Sequence, residues 1–204
     1  MRIHGVITSP FVRMCLVTAH EVGLKDRVER GEAPVKPSEV NSDLSLLSPL
    51  GKVPVLTTDH NHPLYDSRVI MEYLSHVGGN RTFIPDDGVK RFRVLTLLAL
   101  AQGMADAAVL LRYELTQRPE GTQWPVYAER LRARILAAVQ DMEQQWHDVL
   151  QGVNAGSVAA ACALAFLDLR HPDLGWRNQR PKLDAFAAAF NARDSMKAWP
   201  LPLS

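Results

Sequence analysis

"GKVPVLTTDHNHPLYDSRVIMEYL", Gly51 to Leu74, changes its periodicity halfway along. The front part, "VPVLTTD", is rich in β-branched residues and reads as a strand. "HNHPL" is turn chemistry, and a brief second strand follows at Leu64 and Tyr65. From Asp66 the spacing is helical. Val69, Ile70, Tyr73, Leu74 and Val77 form one face, and Gly78 and Gly79 stop it.

Upstream, Ile3 to Ile7 is a strand, Pro10 to about Val22 a helix and about Arg27 to Gly31 a short charged strand. "PSEVNSDLSLLSP" adds a short, irregular helix. The resulting order, β-α-β-α-β-β-α, implies a parallel pair joined by a right-handed crossover, plus an antiparallel hairpin. Ser9 and Pro10 sit where the first strand gives way to a helix whose face is Val12, Cys15, Leu16 and Ala19. Ser as N-cap and Pro at the first helical position explain that pair in structural terms.

Downstream of the linker "GNRTFIPDDG" the grammar is helical throughout. Val89 to about Arg118 is one long helix, closed by Pro119 and Gly121; Pro125 to about Leu150 is another, ended by Gly152. Ser157 opens a third, apolar almost all round through Leu167, as befits the centre of a bundle. Pro181 to about Ala192 makes a fourth. An α/β domain over residues 1–80 therefore precedes an all-α domain over residues 87–204.

Charge excludes some functions. Lys plus Arg number 23 and Asp plus Glu 22, a formal net charge of +1, which gives no electrostatic case for nucleic acid or an anionic membrane. The amino terminus has no long apolar stretch, and the longest uninterrupted apolar run, Val158 to Leu167, is far short of the ~20 residues that span a bilayer. Cys15 and Cys162 both fall in helical patterns, so no disulfide framework is expected. A cytoplasmic protein is the expectation.

Three fragments, "SPFVR", "GKVPVL" and "LYDSRVIMEYL", resemble the glutathione transferase family in order and spacing. "GMADAAVLLRYE" and "LDLRHPDLGWRNQRP" look like the second domain of bacterial members that begin with a Ser-Pro-Phe motif. The resemblance covers the whole chain and implies a thioredoxin-like first domain with glutathione as co-substrate. It places a cis-proline at Pro54, which would turn the N–H and C=O of Val53 outward to pair with glutathione's cysteine like an added strand. Asp66 and Ser67 open a helix, whose unpaired N–H groups and dipole suit the γ-glutamyl carboxylate. Asp66 would meet the ammonium of the same group, and Lys52 the glycyl carboxylate. Phe11 would line the thiol pocket. Each has a plainer alternative: a strand-start proline, an N-cap pair, a solvated lysine, a core aromatic.

Under this resemblance Ser9 is the catalytic residue. A hydroxyl is too weak an acid to serve as a base, but it can donate a hydrogen bond to sulfur and so favour thiolate over thiol. A helix start acts the same way; thiol pKa values there fall from ~8.5 to roughly 3.5–7.5. Thr8 is the nearest substitute hydroxyl.

Some features depart from the family or lie outside its chemistry. The central helix has Ser157 but Ala160 where an Asp is common, which leaves half a capping box. Cys15, on the apolar face of its helix, reads as a core thiol. His60 and His62 lie in a turn with no third ligand, so no metal is expected. The electrophile is expected between the domains, against Met104, Ala108, Leu111, Arg112 and Tyr113; the first three fit a helix–helix core stripe equally well. The reading is a glutathione transferase that attacks a small apolar electrophile. A glutathione-dependent peroxidase or thiol reductase, and a non-enzymatic interaction protein, are the alternatives. A homodimer is expected, with Arg68, Met71 and Glu72 on the outer side of the Ser67 helix as contacts.

Overall fold

Strand β1 (Arg2–His4) is central in a four-stranded sheet of the computed structural model, which describes residues 1–202. Around it come α1 (Pro10–Glu21), β2 (Glu29–Gly31), α2 (Ser42–Leu47), β3 (Val55–Thr57), β4 (Pro63–Leu64) and α3 (Ser67–Val77). The sheet order is β2-β1-β3-β4. Ile3 faces Arg30 of parallel β2 and Leu56 of antiparallel β3, and Leu56 faces Leu64 of antiparallel β4. This is the predicted parallel pair plus hairpin, a thioredoxin-like sheet.

Two strand ends differ from the sequence reading. β1 stops at His4 rather than Ile7, because the Gly5 amide still reaches the Gly31 carbonyl (2.9 Å) but the chain then turns, with Ser9 N–H bonding Val6 O at 3.0 Å. β4 pairs through Pro63 and Leu64 rather than Leu64 and Tyr65. Proline is tolerated there because β4 is an edge strand.

Ile3 and Leu56 are buried beneath α1 and α3, which contribute Val12, Leu16, Ile70, Met71 and Leu74 to the same core. Met71 is completely buried, so it is a core residue and not the outward contact predicted for it. Its neighbours are engaged within the chain: Glu72 pairs with Arg91 (2.9 Å), and Arg68 donates to Gln102 (2.6 Å).

The remainder is helical: α4 (Gly88–Thr116), α5 (Pro125–Gln145), α6 (His147–Leu150), α7 (Ala155–Arg170), α8 (Pro181–Asn191) and α9 (Asp194–Ala198). Helix α5 ends at Gln145 instead of running to Leu150. Trp146 leaves helical geometry (φ −116°, ψ 11°), while its indole N–H bonds Asp141 at 2.7 Å and Arg93 lies 4.5 Å over its ring. A buried indole needs an acceptor, and this one is satisfied by breaking the helix.

Helix α7 opens two residues before Ser157, with Asn154 as its N-cap. The Asn154 side chain accepts from Ser157 N–H (3.0 Å), and Ser157 Oγ accepts from Asn154 N–H (2.9 Å), so the capping box is complete. Ala160 lies outside it. Every residue from Ala155 to Leu167 is buried, and α4 crosses so closely that a Cβ on Gly156 would stand 2.9 Å from Leu97 Cβ.

Helix α4 is long and apolar enough by composition to cross a membrane, although scattered polar residues break it into short apolar runs. In the fold more than half of that stretch is buried, with α5 and α7 packed along the helix. Residues 193–199 return across α1. Arg193 forks onto Glu21 (2.7 and 2.9 Å), and Arg13 donates to the Trp199 and Met196 carbonyls (3.0 and 3.3 Å).

Candidate functional site

Strand direction brings three loops to one end of the sheet. β1 runs out into the loop that ends at Ser9, so α1 starts beyond the C-terminal end of β1. β3 runs the other way, with Val55 opposite His4, which puts Val53 and Pro54 at that same end. β4 reverses once more, so Asp66 and Ser67 open α3 there too. Gly5 fastens two of the loops together. Its φ is +148°, and a Cβ there would lie 2.4 Å from Val12 Cγ2 and 3.1 Å from Val53 Cβ.

The predicted features take definite forms. The Val53–Pro54 peptide is cis, as is Tyr65–Asp66. Ser9 is the N-cap of α1, accepting from Val12 N–H at 3.5 Å, and Pro10 fills the first helical position. That long cap bond leaves the hydroxyl lightly committed. Asp66 caps α3 by accepting from Arg68 N–H at 3.0 Å. Ser9, Phe11 and Val53 are half-buried, Lys52 and Asp66 exposed, Pro54 buried.

Ser67 is only 4 % exposed, and Gln102 from α4 donates to its Oγ at 2.9 Å. Because Gln102 is the donor, the Ser67 hydroxyl keeps its own hydrogen for an acceptor. Gln102 is buried at 3 % and was missed in the sequence. Its signal was a lone amide amid Leu98, Ala101 and Ala105.

Met104, Ala108 and Leu111 are at most 2 % exposed and belong to the core, which accords with the core-stripe reading; they offer no surface to a substrate. Arg112 and Tyr113 are half-buried. Burial pushes both cysteine thiols up, Cys162 to about 11, which leaves neither as a thiolate near neutral pH.

A thioredoxin-like sheet with two helix starts gathered at one end, followed by a helical bundle, defines the chain as a two-domain thioredoxin-fold protein. The glutathione S-transferase N-terminal domain family matches residues 8–77. The uncharacterized GST-like protein YibF of Escherichia coli K12 is 30% identical over 198 residues, covering 96% of both chains. A glutathione transferase family member from Pseudomonas fluorescens Pf-5, solved with bound glutathione, is 38% identical with a TM-score of 0.96 over 99% of each chain. A second Pf-5 structure, with bound S-(propanoic acid)-glutathione, is 37% identical with a TM-score of 0.90 over 100% of each chain. The chain belongs to the glutathione S-transferase family.

Proposed function

We propose that the protein is a glutathione transferase that holds glutathione at the Ser9 end of the sheet and activates its thiolate for attack on a small electrophile. The observation that carries this is the convergence of Ser9, Val53–Pro54 and Asp66–Ser67 at one sheet end. Val53 would pair with glutathione's cysteine backbone. The first amides of α3 and the free hydrogen of Ser67 would take the γ-glutamyl carboxylate, with Asp66 on the ammonium and Lys52 toward the glycyl end. Ser9 would donate to the sulfur, helped by Phe11 as a wall. The glutathione bound in the Pseudomonas fluorescens relative supports the same ligand here. The acid-bearing conjugate in its second structure supports a second substrate wider than apolar electrophiles.

The biological role that fits is conjugation of reactive compounds, a detoxification chemistry, carried out in the cytoplasm by a homodimer. Exposed Val69 on α3, with Val89 and Phe92 on α4, replaces Met71 as the apolar candidate for the dimer contact.

Calorimetric titration with glutathione, followed by thiolate absorbance against pH on the complex, tests the proposal. Binding at or below millimolar glutathione with a thiol pKa below the free value of ~8.5 is expected. No binding at millimolar glutathione would move the protein to the interaction-module alternative. Turnover of hydroperoxides or mixed disulfides, without conjugation, would favour the peroxidase or reductase.

A further inference from the structure

The end of α7 comes to the same place as the start of α1. At its beginning, Ala155 N–H bonds Phe83 O (3.0 Å), just past the end of α3, whose Gly78 lies against Val22, the C-cap of α1. The start of α7 therefore lies toward the end of α1. The two helices pack together, and α7 follows α4, which runs back from Gln102 beside Ser67 to Ala108 beside His171. Helix α7 thus runs opposite to α1. With ~1.5 Å per residue, α1 runs about 18 Å and α7 about 24 Å. Arg170, the last residue of α7, thus comes level with Ser9 or just beyond it.

Arg112 arrives there on α4. The next residue after Arg170, His171, is buried and its Nε2 bonds the Ala108 carbonyl at 2.8 Å. A carbonyl can only accept, so the His171 Nε2–H donates this bond, and burial lowers the ring's pKa. Arg112 is one helical turn past Ala108 and Arg170 immediately precedes His171, so the two arginines enter from the two helices that this one hydrogen bond joins.

Neither arginine has an ion pair among the described residues, and Arg170 Nε is a buried donor with no partner there. The acids on these segments are held elsewhere: Asp168 by Arg177 and Trp176, Asp173 by Arg132, Glu114 by Arg118 and the Trp124 amide. Asp106, six residues before Arg112 on α4, points about 120° round the helix from it. Burial and the Arg112 charge both push Arg170 below arginine's ordinary value, yet a guanidinium does not give up its proton in a protein. Two adjacent cations and an unfilled donor are a costly arrangement without an anion.

We infer that Arg112 and Arg170 clamp a carboxylate on the group that glutathione's sulfur attacks, so the second substrate is a small electrophile bearing a carboxylic acid. The planar forks of two arginines match the two oxygens of a carboxylate. The inference rests on the glutathione reading above and narrows its second substrate. Arg170 becomes a specificity residue that the sequence did not point to, and Arg112 takes a stated role.

The test is calorimetric titration of the whole protein with S-propylglutathione and S-(2-carboxyethyl)glutathione, which differ only in a methyl against a carboxylate. The native protein is expected to prefer the acid by about tenfold or more. In Arg112→Gln and in Arg170→Met that preference falls to near unity, and in the native protein it weakens as salt is raised. If Arg170→Met does not fold by circular dichroism, Arg112→Gln, whose side chain is half-exposed, decides. Equal affinity for the two ligands in the native protein, or a preference intact in the variants, overturns the clamp alone. Failure of the native protein to bind either ligand overturns the glutathione reading and the clamp with it.

Discussion

Gln102 Nε2 donates to Ser67 Oγ at 2.9 Å, while its Oε1 accepts from Arg68 Nε at 2.6 Å. One buried amide from the helical bundle therefore fixes two successive residues at the start of α3 and sets which way the Ser67 hydrogen points. Gln102→Leu leaves two polar groups short of a partner and should cost about 1–3 kcal/mol in urea unfolding. Gln102→Glu separates position from stability. The carboxylate still accepts from Arg68 but now also accepts the Ser67 hydrogen, taking it from the glutathione carboxylate. The Arg68 partner offsets only part of the cost of burying a carboxylate, so some stability is lost. Glutathione affinity should fall about tenfold beyond what Gln102→Leu shows, read by unfolding and calorimetry on the same samples.

The Asn154–Ser157 box starts the most buried helix of the protein, and Asn154 Nδ2 also holds the Val149 carbonyl at 2.8 Å. Asn154→Ala removes the cap and that tether together. The expected loss is about 2 kcal/mol, the upper end for an N-cap, because both residues are buried and water cannot substitute. Ala160→Asp, which would restore the pattern expected from the family, places a charge at a fully buried position and should destabilise more than Asn154→Ala does.

Glu21 joins the C-terminal segment to α1. Burial opposes its ionisation, but bonds from Arg193 (2.7 and 2.9 Å) and Ser195 (2.5 Å) prevail and hold its carboxyl below the ordinary 4.5. A depressed carboxylate stabilises the fold fully above its unfolded pKa, and that contribution disappears as pH falls through the folded value. Glu21→Gln should therefore be less stable than the native protein at pH 7, with the gap narrowing as pH falls below the ordinary carboxyl range and through the lowered folded value. Urea unfolding of both proteins at several pH values reads this. A gap that stays constant with pH would mean that the Glu21 charge contributes nothing.

The sheet and its hairpin were legible because period two and period 3.6 alternate cleanly between Ile3 and Val77, and local chemistry marks the turns. Ser9 and Pro54 were legible for the same reason: each sits at a joint between elements. Gln102 was not, because its partners are 35 and 34 residues away in the other half of the molecule and no local pattern reports them. Met104, Ala108 and Leu111 show the limit of an apolar stripe. Helix α4 is packed along both α5 and α7, so periodicity identifies a buried face without saying whether protein or ligand covers it. Arg170 escaped notice because a terminal arginine on a helix is ordinary until its Nε is seen to be buried.

The Ser9 hydroxyl has two separable uses, as a helix cap and as the proposed donor to bound sulfur. Its bond to Val12 N–H is 3.5 Å long, so Ser9→Ala should cost about 0.5 kcal/mol, the low end for an N-cap. That loss appears in unfolding and leaves the chemistry of folded enzyme untouched. If the hydroxyl donates to bound sulfur, the variant also raises the thiol pKa of bound glutathione, with each unit equal to 1.36 kcal/mol of lost thiolate stabilisation. Thiolate absorbance against pH on each complex measures the shift directly. Conjugation below the new pKa should slow in proportion to the thiolate lost, while glutathione affinity, assigned to Val53, Asp66 and Ser67, changes less. Both effects together assign activation to Ser9. A bound thiolate whose pKa and turnover are unchanged in Ser9→Ala would leave the serine as a cap, and the donor to sulfur would then be Thr8 or an amide of the first turn of α1.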